Sequence, residues 1–309
     1  MSLYEHLTKV GPSGFGYGST AEEVTEGLAL EGKTFLVTGC NSGLGLETMR
    51  VLALRGARVI GTARTEAKAK EAAEKVKGGP VIPVACELAD TPSIYACIEK
   101  VKSLGFALDG IICNAGIMAL PKLEKAYGYE LQFVTNHIGH FILVNGLLDQ
   151  LTERGRVVML SSEAHKQAPP GGIDFDNLDG AKGYSSFRAY GRSKIANYLF
   201  ALELTNRLRG TKRTANALHP GVIDTNLARS MNPVVGVFYA IAKPLALKSV
   251  PQGAATQVYV ATHPSLDGVS GKYFSNCNVD RPRRDGTDEA TAKRLWTVTE
   301  EIVAKLPRS

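Results

Sequence analysis

Lys33–Gly45 reads KTFLVTGCNSGLG, an apolar run that ends in a glycine-rich turn. Lys33–Thr38 has the length and the aromatic and β-branched content of a buried strand. Gly39, Gly43 and Gly45 follow where the chain must turn sharply, and the residues from there to Arg55 are amphipathic at helical spacing. A strand, a glycine turn and a helix in succession offer free N–H groups and the positive end of the helix dipole to an anion. The glycines let a ligand approach the backbone closely. Gly39, Asn41, Ser42, Gly43, Leu44 and Gly45 are therefore the expected cradle of a nucleotide pyrophosphate. The spacing is GxxxGxG rather than GxGxxG.

Working outward, the same alternation continues. Strands are expected at Ala57–Ala63, Val81–Cys86, Leu108–Cys113, Arg156–Ser161, Thr214–Leu218 and near Gly271–Phe274. Helices are expected up to Lys77, then at Thr91–Leu104, through most of Leu123–Leu151, and at Ser186–Leu208, Gln252–Thr262 and Glu289–Leu306. Runs such as FLVT, GIIC and VVML belong to parallel strands buried on both faces. With right-handed crossovers, the expected fold is a single-domain α/β, Rossmann-type doubly wound parallel sheet with helices on both faces. Residues 1–30 read as an N-terminal arm on the domain surface, partly mobile, and residues 31–309 as the nucleotide-binding catalytic domain.

Composition narrows the function. The 309 residues are 44% hydrophobic and 21% charged, ordinary for a globular chain. The net charge of +6 is scattered, so no nucleic-acid partner is argued. Arg281, Arg283 and Arg284, flanked by Asp280 and Asp285, read as a solvated loop. Cys40, Cys86, Cys97, Cys113 and Cys277 are widely spaced and odd in number, which fits free thiols in a reducing compartment, here the cytoplasm. No apolar stretch is long enough for a transmembrane segment.

Three further constellations carry chemistry. Tyr190-Gly191-Arg192-Ser193-Lys194 lies on the Ser186–Leu208 helix, so Tyr190 and Lys194, four apart, share a face. A phenol with a reference pKa of about 10 exchanges protons poorly at neutral pH, and an adjacent ammonium favours its anion. That pairing is a proton relay. Ser162 closes the fifth strand, where a hydroxyl can hydrogen-bond a substrate oxygen. Asn114, Ala115 and Gly116, after the fourth strand, leave clearance for a flat cofactor. At the tip of the second strand, Gly61–Thr65 (GTART) carries no acid to accept from a ribose 2′-OH, and Arg64 suits a 2′-phosphate, so NADP(H) is preferred. His137 and His140 have zinc-compatible spacing but no further ligand nearby; structural histidines are expected and no metal. Ser162 lacks a GxSxG elbow, which argues against a hydrolase.

Taken together, TGCNSGLG, CNAG, Asn136 within NHIGHF, Ser162, YGRSK and HPG followed by Thr225 resemble the short-chain dehydrogenase/reductase family, in order and over essentially the whole chain. NHIGHF, GKYFSNC (Gly271–Cys277) and AKRLW (Ala292–Trp296) are similar to its retinol-dehydrogenase-like subgroup. The leader GPSGFGYGSTAEEVTEG is similar to a plant branch associated with plastid protein import. The resemblance implies Tyr190 as acid/base, Lys194 lowering its pKa and binding the nicotinamide ribose, and Ser162 holding the carbonyl. It implies that Asn136 anchors a water linking Lys194 to solvent. Pro220, Gly221, Val222 and Thr225 would contact the nicotinamide carboxamide, and Glu87 and Leu88 the adenine, with Glu87 standing where relatives carry Asp. The arm lacks the membrane anchor of many retinol dehydrogenases, and an insertion around Pro169–Gly183 precedes Tyr190.

The expectation is an NADP(H)-dependent oxidoreductase that interconverts an alcohol and an aldehyde or ketone. Asn226–Val250, rich in Val, Ala, Phe and Leu, is expected to close as a lid over an apolar substrate. A membrane-touching amphipathic segment is the competing reading of that stretch. A homo-oligomer fits the family. The reading from another class is an NADPH-binding interaction module with vestigial catalysis. Epimerisation or dehydration on the same fold is a third, argued against by the absence of GxxGxxG and of a larger C-terminal region.

Overall fold

The computed structural model describes residues 10–223 and 247–308. At the centre of its main sheet, β1 (Thr34–Val37) pairs in parallel with β2 (Arg58–Ala63) on one side and β4 (Leu108–Cys113) on the other. β3 (Val81–Ala85) extends the sheet beyond β2. Beyond β4 come β7 (Leu151–Leu160), β8 (Thr214–His219) and β9 (Tyr273–Ser275), all parallel. A last strand, β10 (Asn278–Asp280), turns back antiparallel onto β9. The order β10-β9-β8-β7-β4-β1-β2-β3 reverses direction between β1 and β4, and there the crossovers leave a crevice at the carboxyl ends of the strands.

Side-chain alternation sorts the strands between two cores. Phe35 and Val37 face one, Leu36 the other; Ile112 and Val158 join the first, Ile111 and Val157 the second. The first core is covered by α1 (Gly43–Leu54), α2 (Glu66–Ala73) and α6 (Val250–Thr262). The second is covered by α3 (Thr91–Ser103), α4 (Gly139–Leu147), α5 (Ser186–Arg207) and α7 (Glu289–Val303). Burial on both faces explains why the strands lack polar alternation.

Several boundaries differ from expectation for local reasons. Leu123–Leu151 is not mostly helical: a two-stranded hairpin, β5 (Lys125–Ala126) and β6 (Tyr129–Glu130), opens it. Its turn has Tyr127 and Gly128 at positive φ, 53° and 83°. The helix that follows begins at Leu131–Phe133, widens into a π turn at Val134–Ile138 and continues as α4. Gly139 lets this helix lie close against Leu88, because a Cβ there would stand 2.4 Å from the Leu88 carbonyl oxygen. α6 starts at Val250, two residues before the expected Gln252, because Ser249 and Gln252 form a reciprocal capping box.

Residues 10–30 lie against the α1/α6 face. Ala21, Val24 and Leu30 join its core, and Ala21 N–H donates to the Pro251 carbonyl at 2.9 Å. Phe15 meets Tyr259 edge-on at 5.6 Å, and Ser13 N–H donates to Asn278 Oδ1 at 3.0 Å.

Candidate active site

The turn after β1 has the geometry that its glycines predict. Gly39 and Gly43 sit at φ 72° and 55°, a region that side chains rarely enter. A Cβ on Gly45 would stand 2.2 Å from the Gly39 carbonyl oxygen, so the helix start folds tightly over the strand end. Ser42, the N-cap of α1, makes no side-chain capping bond, and Asn41 and Ser42 are exposed. Leu44 and Gly45 are buried behind them. The first N–H groups of α1 are thus left without a capping side chain, as an anion-binding helix start needs.

Across the crevice, Asn114 Nδ2 donates to the Thr38 carbonyl at 2.8 Å and Ala115 N–H to Thr38 Oγ1 at 2.9 Å. The ends of β1 and β4 are thus stitched together beneath the expected cofactor. Arg64, one residue past β2, is exposed and makes no ion pair among the described residues. Glu87 is turned back on its own loop, where its Oε1 accepts from Ala89 N–H at 3.2 Å. The Leu88 side chain is buried in the core, so only its backbone is available to an adenine.

Tyr190 and Lys194 share the buried face of α5. Lys194 Nζ lies 5.6 Å from the centroid of the Tyr190 ring and donates to the Leu160 carbonyl at 3.1 Å, at the end of β7. Burial pushes the Lys194 ammonium down to about 8, with nearby Cys113 acting in the opposite direction. Ser161 Oγ donates to the Lys194 carbonyl at 2.8 Å and Asn197 Nδ2 to the Leu160 carbonyl at 2.9 Å, which fixes α5 on the strand end. Ser162 Oγ accepts from Ala164 N–H at 3.2 Å, and its own proton remains to be given to a substrate oxygen.

Asn136 sits in the π turn with its side chain fully used. Oδ1 accepts from Ile117 N–H at 2.8 Å, while Nδ2 donates to the Ile117 carbonyl and to Ser193 Oγ, each at 2.9 Å. Ser193 Oγ in turn donates to the Tyr190 carbonyl at 2.8 Å. Asn136 therefore ties the loop after β4 to the helix that carries the relay. Gly116 is wedged between these groups: a Cβ there would stand 3.0 Å from Asn136 Oδ1 and 3.3 Å from Lys194 Nζ. Gly116→Ala is expected to displace the ammonium and to reduce any NADPH-linked turnover about 5–150-fold, the equivalent of the roughly 1–3 kcal/mol that overpacking costs. Steady-state kinetics beside a thermal melt separates this from simple unfolding, because the melt should shift by only a few degrees.

His137 and His140 are buried and bonded to Thr299 Oγ1 and Thr38 Oγ1 respectively. No cluster of metal-binding side chains occurs among the described residues. Pro220, Gly221 and Val222 follow β8, with Gly221 at φ 100°. Thr225 and residues 226–246 of the expected lid lie outside the described residues. Of the lid's end, Lys248 is seen to pair with Ile223 in a parallel bridge.

Three features escaped the sequence reading. Lys248 is 1% exposed, with Nζ 4.8 Å from the Tyr17 ring, and its stem packs under Gly221. Arg192 and Glu130 form a buried ion pair at 3.4 Å, and the Arg192 guanidinium also bonds the Asn177 and Leu178 carbonyls. This pair anchors the insertion around Pro169–Gly183 to the face of α5 away from Tyr190. Arg281 and Arg284 are exposed, as a solvated loop predicts, but Arg283 is not. It donates to the Ala168 carbonyl at 2.8 Å and pairs with Asp285, and its N–H donates to His165 Nε2 at 3.0 Å. A polar cleft of about 350 Å³ beside the insertion is lined by Arg188 and Arg192. These lie two residues to either side of Tyr190, on the opposite side of α5, so that cleft is separate from the crevice.

The short chain dehydrogenase family model matches residues 33–175. The chain is 40% identical to the short-chain dehydrogenase TIC 32 B, chloroplastic, of Brassica napus, over 99% of this chain and 100% of that one. The chain belongs to the short-chain dehydrogenase family. Within it, human retinol dehydrogenase 14 is 37% identical, over 90% of this chain and 88% of its own. Among solved structures, an uncharacterised protein of Mycobacterium paratuberculosis superposes with a TM-score of 0.74 at 32% identity, over 91% of this chain and 97% of that chain. A short-chain dehydrogenase of Burkholderia cenocepacia, solved with NADP, shares the fold with a TM-score of 0.64 at 23% identity, over 79% and 96%. As a short-chain dehydrogenase, the chain is a nicotinamide-dependent oxidoreductase of retinol-dehydrogenase-like type. No helix among the described residues is long and apolar enough to cross a membrane.

Proposed function

We propose that this short-chain dehydrogenase is an NADP(H)-dependent carbonyl reductase, reversible as an alcohol dehydrogenase, acting on an apolar aldehyde or ketone. One observation carries the reading: the Lys194 ammonium is buried beside the Tyr190 ring at the crevice end of β7. The nicotinamide cofactor supplies the hydride when bound. Tyr190 gives its hydroxyl proton to the substrate oxygen, and the Lys194 cation stabilises the phenolate that remains. Ser162 donates to the same oxygen and orients it. Lys194 would also bind the nicotinamide ribose. The Asn136 main-chain carbonyl, which has a second lone pair, holds the water that reprotonates the pair. With the cofactor bound, Gly39–Gly45 would cradle the pyrophosphate, Asn114–Gly116 would floor the crevice, and Pro220–Val222, with Thr225 beyond the described residues, would hold the carboxamide.

Arg64 supports the choice of NADP(H). A charge-assisted hydrogen bond is worth about 1.5–3 kcal/mol. Arg64→Glu is therefore expected to weaken NADPH binding about 10–100-fold and to leave NADH nearly unchanged. Titrating cofactor fluorescence with both nucleotides checks this, and equal losses for the two would remove Arg64 from the 2′-phosphate site. The five thiols are free and buried, consistent with a cytoplasmic setting. The substrate experiment follows NADPH absorbance against apolar aldehydes, ketones, retinoids and steroids, with NADH in parallel. Turnover of small charged carbonyls alone would refute the apolar assignment.

A further inference from the structure

His140 is wholly buried between the helix that carries Asn136 and the turn after β1. Its Nδ1 lies 2.9 Å from the Asn136 main-chain oxygen and its Nε2 2.9 Å from Thr38 Oγ1. A carbonyl oxygen only accepts, so Nδ1 carries the proton and Nε2 is left as an acceptor. The Thr38 hydroxyl must then donate to Nε2, while its oxygen accepts Ala115 N–H at 2.9 Å. The result is one directed chain from Ala115 through Thr38 and His140 to Asn136. A neutral ring is required, and burial, aided by the charge on Lys194, pushes His140 down to about 4.

The link falls where the helix departs from α geometry. In the π turn, Gly139 N–H donates to the Val134 carbonyl, five residues back, so the backbone is wider than an α-helix around Asn136. The Asn136 carbonyl receives a side-chain donor from His140, four residues on. The Asn136 side chain meanwhile reaches Ser193, one residue from Lys194. The two ends of the chain are thus the nucleotide-binding turn and the relay helix.

We propose that His140 is a positioning residue that sets the relay in register with the cofactor, by bonding Asn136 through Nδ1–H and Thr38 through Nε2. This rests on the reading of Gly39–Gly45 as the nucleotide cradle and of Tyr190–Lys194 as the relay. It differs from a space-filling histidine in requiring a donor and an acceptor. His140→Phe keeps a large ring without either, whereas His140→Gln keeps one donor and one acceptor.

The test has one arm that needs no turnover. Nitrogen-15 NMR of the wild-type imidazole should report the Nδ1–H tautomer. Fluorescence titration should show NADPH affinity about tenfold weaker in His140→Phe and within about threefold of wild type in His140→Gln. The Phe variant should also lose kcat beyond its loss of affinity. An Nε2–H tautomer overturns the proposal, as does Phe binding NADPH as well as Gln. If the Phe variant fails to fold, the tautomer and the Gln variant decide. Wild type that binds NADPH but reduces no carbonyl refutes the proposed function alone, and the tautomer and binding results still decide the role of His140. Wild type that does not bind NADPH refutes both.

Discussion

Tyr190→Phe is expected to reduce carbonyl turnover about 10²–10⁴-fold while NADPH binds within about threefold of wild type. The substitution removes one hydroxyl and keeps the ring of a residue that is 7% exposed, and a thermal melt beside the kinetics checks that the fold is retained. In the proposed mechanism this hydroxyl gives a proton to the substrate oxygen, with the Lys194 ammonium 5.6 Å from the centre of its ring. Ser162 remains to hold that oxygen, which is why residual turnover is expected rather than none. Stopped-flow reduction under saturating NADPH, beside a fluorescence titration, separates the two effects. The same variant discriminates against a nucleotide-binding interaction module: full cellular function with unchanged NADPH binding would mean that catalysis is not the role.

Lys194→Met should cost turnover on the same scale, and its pH signature is specific. Burial lowers the Lys194 ammonium from 10.5 to about 8. Below about pH 8 the group is charged in both the folded and the unfolded chain, and the full penalty of burying that charge is present. Between about pH 8 and 10.5 the folded protein has released the proton and the unfolded chain still holds it. The unfolded state then binds more protons, so this group's contribution to stability rises with pH across that window. Activity should move in the opposite direction. As pH rises through about 8 the cation beside Tyr190 is lost, and kcat/KM for reduction should fall. Lys194→Met should show neither the falling limb nor the local rise in stability. A wild-type rate still climbing at pH 9 would contradict this account of the pair.

The central sheet was legible because parallel strands buried on both faces leave uninterrupted apolar runs, as in FLVT and GIIC. The Gly39–Gly45 turn was legible because only glycine tolerates its backbone. The face shared by Tyr190 and Lys194 follows from helix periodicity alone. What was not legible depends on partners distant in sequence. Nothing local marks Lys248 as buried, since a lysine among scattered lysines reads as surface; Tyr17 and Gly221 make the difference. Arg283 looked solvated beside Asp280 and Asp285, but its partners His165 and Ala168 lie more than a hundred residues away. The β5–β6 hairpin and β10 are two and three residues per strand, too short for a period to register. His140 was read as structural, which is true of its burial but silent on the direction of its hydrogen bonds.

The most direct test of hydride transfer at this site uses NADPH deuterated at the transferring position of nicotinamide C4, with the carbonyl panel and mass-spectrometric analysis of the alcohols. The account predicts deuterium on the carbinol carbon of an apolar product with wild type, and a loss of about 10²-fold or more with Tyr190→Phe. Bound NADPH with no deuterium in any product, or equal transfer by the Phe variant, would contradict it.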